Sequence, residues 1–300
     1  MNPERTSTTP LFEGIWVPIV TPFRDGHIDL DAAQGLTTHL VDSGVHGLVV
    51  CGTTGEAATL DDGEQADMLA AVLEAAGRRC PVAIGIGGSD TRAVARQAAR
   101  YNRAPLAGLL ISAPSYVRPS QQGILHHFRA IAEVTDKPIA LYNIPARTGV
   151  NIDAATALSL SADPRFAAIK ECGGNMPQLA ALINHTPLKV LCGDDALILV
   201  TLCLGGHGAI TAAAHIRPDL FVRLFDLVRS NRIGQARTLF KAMLPLIQLL
   251  FSEPNPGPVK AALAMQGWIG DELRLPMTPM SADGKKALAI ALERMMALPG

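Results

Sequence analysis

Lys170 closes the apolar run Phe166-Ala-Ala-Ile, which places an ammonium group where neighbouring side chains exclude water. Desolvation disfavours the charged form, so burial alone lowers the lysine pKa and yields a neutral amine able to attack a carbonyl carbon. A structural ion pair with Glu171 or another carboxylate is the competing use of such a lysine. Tyr142 ends the run Ile-Ala-Leu-Tyr-Asn, where a phenol shuttles protons or packs in the core with its hydroxyl capped. Thr53 and Thr54 lie between glycines and offer hydroxyl and amide donors suited to a carboxylate, or to ordinary turn capping. Arg147 follows the Tyr142 run directly and suits bidentate grip of a carboxylate, or a solvated surface role.

Other polar candidates carry less chemistry. His126-His127 sits within a helical pattern remote from any strand end, and no His/Cys/carboxylate group has metal-ligand spacing. Asp194-Asp195 lacks the further oxygen ligands that Mg²⁺ requires, so a structural or substrate-lining role fits it better. No metal is expected.

These residues all end short apolar segments: 15–20, 47–51, 82–86, 108–112, 139–143, 167–171, 189–193 and 208–211. They recur about every 30 residues with Ala- and Leu-rich helical stretches between them, the period of a βα repeat. Because the runs are continuously apolar instead of alternating, each strand is expected to be buried on both faces, as in a closed parallel barrel wrapped by helices. An open doubly wound sheet shares the period. Eight even units favour closure, and Gly85-Ile-Gly-Gly88 is a poor dinucleotide fingerprint, read here as a tight strand-to-helix exit. The expected fold is an α/β (β/α)₈ barrel over residues 14–220. A flexible segment, 1–13, precedes it, and an all-helical C-terminal extension, 221–300, follows.

With 300 residues, 48% of them hydrophobic, the chain can bury one large core. Its 26 basic and 27 acidic side chains give no electrostatic bias towards nucleic acid or an anionic membrane. Five scattered cysteines without a CxxC pair read as reduced core residues, and neither a signal-peptide pattern nor a membrane-length apolar run is apparent. A cytoplasmic enzyme acting on small metabolites is expected.

Several strings resemble the dihydrodipicolinate synthase family along nearly the whole chain: VPIVTPF, GTTGEAATL (52–60), LYNIPARTGVNI (141–152), IKE (169–171), CGDD (192–195), GGHGAIT (205–211), EPNPGPVK and LRLPMTP. GTTGE, YNxP and IKE are shared with a wider lyase superfamily that includes N-acetylneuraminate lyase and 2-keto-3-deoxy sugar acid aldolases. Arg147 within PARTG and the two C-terminal strings point towards the synthases. The resemblance implies a Schiff base between Lys170 and pyruvate, with Tyr142 as proton shuttle linked through Thr53 to Tyr116, which acts across a dimer interface. It further implies that Thr54 and the Thr53 backbone hold the pyruvate carboxylate, that Arg147 holds the aldehyde's carboxylate, and that Gly193 and Ile210 line the pocket. The implied reaction joins pyruvate and L-aspartate 4-semialdehyde to give 4-hydroxy-tetrahydrodipicolinate and water, on the route to diaminopimelate and lysine. It requires no cofactor and runs in a homotetramer built as a dimer of dimers.

The chain departs from the lysine-inhibited members of that family. Where they carry histidines, an Asn, a Glu and a tyrosine, this sequence has Ala57, Asp62, Gln65, Ser89, Ala93 and Ser115. Weak or absent lysine inhibition is the expectation, since an ammonium loses its main partners there. Two alternatives remain open on sequence: a pyruvate-dependent aldolase acting on a 2-keto-3-deoxy sugar acid or 4-hydroxy-2-oxo acid, and a non-catalytic barrel that binds a 2-oxo acid.

Overall fold

The computed structural model describes residues 11–300. Eight parallel strands close into a barrel: β1 (Gly14–Pro18), β2 (Gly47–Val50), β3 (Val82–Ile86), β4 (Gly108–Ser112), β5 (Ile139–Asn143), β6 (Phe166–Glu171), β7 (Lys189–Cys192) and β8 (Gly208–Ile210). Closure is made by β1, which pairs in parallel with both β2 and β8. Helices connect successive strands, and five of them begin on an Asp, Ser or Asn whose side chain accepts a backbone N–H of the first turn: Asp29, Asp61, Asp90, Ser120 and Asn175. The strands run within a residue or two of the apolar segments, both faces are buried as expected, and closure through β1 excludes the open sheet.

Two apolar layers follow from the period-2 alternation of strand side chains. One fills the space between strands and helices. The other fills the barrel itself and contains Trp16, Val49, Ala83, Leu110, Ala140, Tyr142, Ala168, Leu191 and Ile210, with Phe12 beneath. Phe12 and Trp16 pack at 5.1 Å between ring centroids and plug the N-terminal end. Glycine is required opposite them, because a Cβ on Gly47 would lie 2.3 Å from the Trp16 ring and one on Gly108 2.7 Å from the Phe12 ring.

The structure redraws the expected boundaries. Of the segment 1–13, residues 1–10 lie outside the described residues, while Phe12 and Glu13 are buried and belong to the barrel floor. A boundary at 220 would cut the helix Pro218–Arg229, which packs on β1 as the barrel's eighth helix. The extension proper is therefore Ile233–Leu249, Gly257–Met265 and Ala282–Met296, with the first two helices each packed against the last. Gly85 sits inside β3, where the Cys51 carbonyl oxygen is 2.6 Å from the position of a Cβ. Close approach of β2, not a tight exit turn, explains that glycine.

The extension is fastened to the barrel by buried charge. Glu56, in the left-handed conformation (φ 53°) at the end of the Gly52–Glu56 turn, lies 2.5 Å from the Lys260 ammonium. Lys260 also donates to the Glu272 carbonyl at 2.8 Å and sits 4.2 Å above the Phe23 ring. Arg274 stacks on the same ring, forks onto Glu64 with contacts of 2.5 and 2.7 Å, and donates its backbone N–H to Glu56. Removing one partner of such a pair strands a charge in the interior. Lys260→Met is expected to lower unfolding free energy by about 3–5 kcal/mol in urea denaturation followed by circular dichroism, and a loss under about 1 kcal/mol would show that the extension is held by other contacts.

Candidate active site

Alternation along β5 and β6 decides which side chains enter the barrel. Ala140 pairs with Ala168, and two residues on Tyr142 pairs with Lys170, so both polar groups point inward one layer above a pair of alanines. The Lys170 ammonium lies 4.4 Å from the centre of the Tyr142 ring. Thr53, Lys170 and Cys172 neighbour the Tyr142 phenol, Thr53 and Lys170 holding its pKa down against burial. Gly193, at the end of β7, leaves room for the lysine: a Cβ there would stand 2.6 Å from Lys170 Cε and 2.1 Å from Cys172 Sγ. Ile210 lines the same interior from β8.

Glu171 does not pair with Lys170. It points to the opposite face of β6, where its carboxylate accepts from Asn143 at 3.0 and 3.1 Å, from the Gly173 amide at 2.6 Å and from Gln178 at 3.1 Å. Burial nonetheless pushes its pKa up against those donors. Asn143 also bonds Asn151 and accepts from the Ile152 amide, so this network pins both ends of the loop that carries Arg147.

The electrostatics correct one expectation. Burial is the largest influence on Lys170 and acts downward, yet the net shift is upward because Tyr142, Cys172 and Asp195 oppose it. Burial also pushes the Tyr142 phenol up and the Cys172 thiol up to about 12. Lys170 and Tyr142 are thus electrostatically coupled, each favouring the charged form of the other against the burial of both. A lysine depressed by desolvation alone is not what this site holds.

Thr54 is buried and accepts a hydrogen bond from Asn255 at 3.0 Å. Asp195, buried at the end of β7, accepts from the Thr211 hydroxyl and the Ala213 amide at 2.7 Å each, tying that end to the segment after β8. Arg147 is exposed on a single helical turn, Pro145–Thr148. Tyr116 stands apart from the cluster: it is 91% exposed, with φ +69°, on a loop tied to the Arg147 loop through Tyr116 N–Thr148 O (3.2 Å) and Arg118 Nε–Gly149 O (3.0 Å). Within one chain it does not meet Thr53 or Tyr142.

Two neighbours of the site escaped sequence reasoning. Cys172 extends the inward alternation from Lys170 by one step, a signal available in the period of β6. Asn255 lies far along the chain in the extension, and nothing in local pattern places it against Thr54. His127 is buried between helices with Nδ1 3.0 Å from the Thr91 hydroxyl, and burial holds its pKa down at about 4. No group of three or more potential metal ligands occurs among the described residues. Asp62, Ser89 and Ala93 line an open groove beside β3 together with Arg96, Gln97 and Arg100, outside the barrel mouth.

The profile of the Dihydrodipicolinate synthetase family matches residues 11–295. This chain belongs to that family. It is 39% identical over 277 residues to 4-hydroxy-tetrahydrodipicolinate synthase 1 of Halalkalibacterium halodurans, covering 91% of this chain and 94% of that protein. Among solved structures, a dihydrodipicolinate synthase from Cyanidioschyzon merolae with lysine bound is 36% identical with a TM-score of 0.93, covering 96% of this chain and 99% of that one. A monomeric dihydrodipicolinate synthase variant is 33% identical with a TM-score of 0.94, over 96% and 98% of the two chains. The family's barrel and the one described above are thus the same architecture.

Asp195 gives this member of the family a pH signature. Burial raises its pKa from 3.8 to about 6 in the folded chain, so the native state binds a proton more tightly than the unfolded one. Stability from this group is present below the unfolded value and is lost as pH rises towards about 6. Asp195→Asn is expected to flatten the stability profile across that window by roughly 2–3 kcal/mol, read from urea midpoints at stepped pH. An unchanged slope would mean the carboxyl is already ionised throughout.

Proposed function

We propose that this chain is a 4-hydroxy-tetrahydrodipicolinate synthase, a lyase that condenses pyruvate with L-aspartate 4-semialdehyde on the way to diaminopimelate and lysine. The inward pairing of Lys170 with Tyr142 carries the reading. Once Lys170 is deprotonated, its amine and the Tyr142 phenol stand together as a nucleophile and a general acid. The Lys170 nitrogen attacks the pyruvate carbonyl carbon, Tyr142 protonates the departing oxygen, and water leaves to give the imine. The imine then withdraws electrons from the adjacent methyl group, whose carbon loses a proton and attacks the aldehyde. Thr53 supports the phenol from below, while Gly193 and Ile210 shape the space beside the imine. Thr54 and the Thr53 backbone hold the pyruvate carboxylate, and Arg147 holds that of the aldehyde by two parallel N–H donors.

In this reading no metal or organic cofactor takes part, and the enzyme works in the cytoplasm, in keeping with five unpaired cysteines. Tyr116 completes the proton relay of a neighbouring subunit, which accounts for a tyrosine almost wholly exposed on a strained loop. The assembly is a homotetramer of two such dimers. The groove beside β3 lacks an aromatic platform and presents Arg96 and Arg100, so it binds lysine weakly.

Borohydride in the presence of pyruvate should add one reduced pyruvyl group to Lys170, and Lys170→Ala should abolish the adduct. The unmodified enzyme should consume aspartate semialdehyde in preference to 2-keto-3-deoxy sugar acids, and should keep at least half its rate in about 1 mM lysine. Turnover of the sugar acids alone would reassign the substrate, and absence of any adduct would remove the chemistry. The shared site has a separate test. Tyr116→Phe and Lys170→Ala, each impaired by at least about tenfold alone, should regain activity when mixed and reassembled, because one intact site forms in each mixed dimer. Mixtures no more active than their components would place Tyr116 outside the partner's site.

A further inference from the structure

The Gly52–Glu56 turn meets the C-terminal extension through two residues, Thr54 with Asn255 and Glu56 with Lys260 and Arg274. The second is an anchor. The first has the form of a switch on hydrogen-bond polarity. Asn255 Nδ2 donates to Thr54 Oγ1 at 3.0 Å, which occupies a lone pair of the hydroxyl. A threonine hydroxyl has one proton and two lone pairs, so an incoming N–H turns the proton outward and strengthens it as a donor. No acceptor among the described residues takes that proton. Asn255 Oδ1 is also buried without a partner, an arrangement that costs stability and that a purely structural amide would avoid.

We propose that Asn255 is a positioning residue: it presets the Thr54 hydroxyl as a donor towards a substrate carboxylate. The inference rests on the pyruvate reading above. Asn255 itself is held in place by the anchored start of the helix Gly257–Met265, where the Lys260 amide donates to the Pro256 carbonyl at 2.9 Å. The extension thereby contributes to binding without offering a group to the reacting atoms. A hydroxyl left to rotate, or drawn towards a competing acceptor, would meet an anion less well.

The test is trapping of pyruvate on Lys170 with cyanoborohydride, read by intact mass across a range of pyruvate concentrations. Asn255→Ala should raise half-saturating pyruvate by about tenfold. Asn255→Asp, nearly the same shape, should raise it further, because its carboxylate takes the Thr54 proton and repels the substrate's charge. That defect should shrink as pH falls and the new carboxyl protonates, a response that loss of packing would not produce. In a Thr54→Val background, adding Asn255→Ala should raise half-saturation no further. Asn255 variants within about twofold of the unmodified protein, or effects of the two positions that multiply, overturn the proposal while leaving the Schiff base intact. Failure of the unmodified protein to trap pyruvate overturns the pyruvate reading and this inference with it.

Discussion

An ammonium group inside a barrel is tolerable only if something there answers its charge, and much of this molecule is arranged around that condition. Lys170 reaches the interior because β6 alternates, and it finds a phenol because β5 lies beside it in matching register. Asp195 supplies a more distant negative charge from β7, and Cys172 a polarizable neighbour. The space itself depends on Gly193 and on the alanines one layer below. Below those, Phe12 and Trp16 close the opposite end, so the amine is open only towards the C-terminal end of the barrel. A larger residue at any of these small positions would change the chemistry through volume alone.

A second buried cation does different work. Lys260 is as enclosed as Lys170, yet burial lowers its pKa, and its carboxylate partner, Glu56, lies at 2.5 Å instead of a phenol. A close ion pair with a further backbone acceptor is a fixed joint, whereas an ammonium beside a phenol has no such fixed counter-charge. The two lysines thus separate by partner, not by burial. The fixed joint sits immediately beyond the two threonines, so the rigidity it gives the Gly52–Glu56 turn is delivered to Thr53 and Thr54.

The parts legible in sequence were those encoded by local period. Continuous apolar runs gave eight strands, and the polar residue ending each run identified Lys170, Tyr142 and the threonines. The Phe23–Arg24 and His27–Ile28 hairpin, turning at Asp25-Gly26 with positive φ at both positions, escaped because its strands are too short to show a period. What else escaped depends on contacts between distant segments. The direction of the Lys170 shift needs the register of β5 against β6, and Asn255 against Thr54 needs the fold of the whole extension. The use of Glu56 as an anchor appears only once Lys260 is beside it.

Neighbouring residues at the strand ends divide the labour by direction. Tyr142 and Lys170 face the barrel, while Asn143 and Glu171, one residue on, face the helices and bind one another. The outward pair joins Asn151 and Gln178, and so fixes the loop that presents Arg147 and, through Thr148, the loop that presents Tyr116. A single dipeptide therefore sets both a reacting group and the position of a loop more than one residue away in space. Exchanging the two residues of either dipeptide would keep composition and hydropathy while inverting which layer receives the charge. Period-2 geometry makes that order, and not the mere presence of lysine and tyrosine, the quantity on which the site depends.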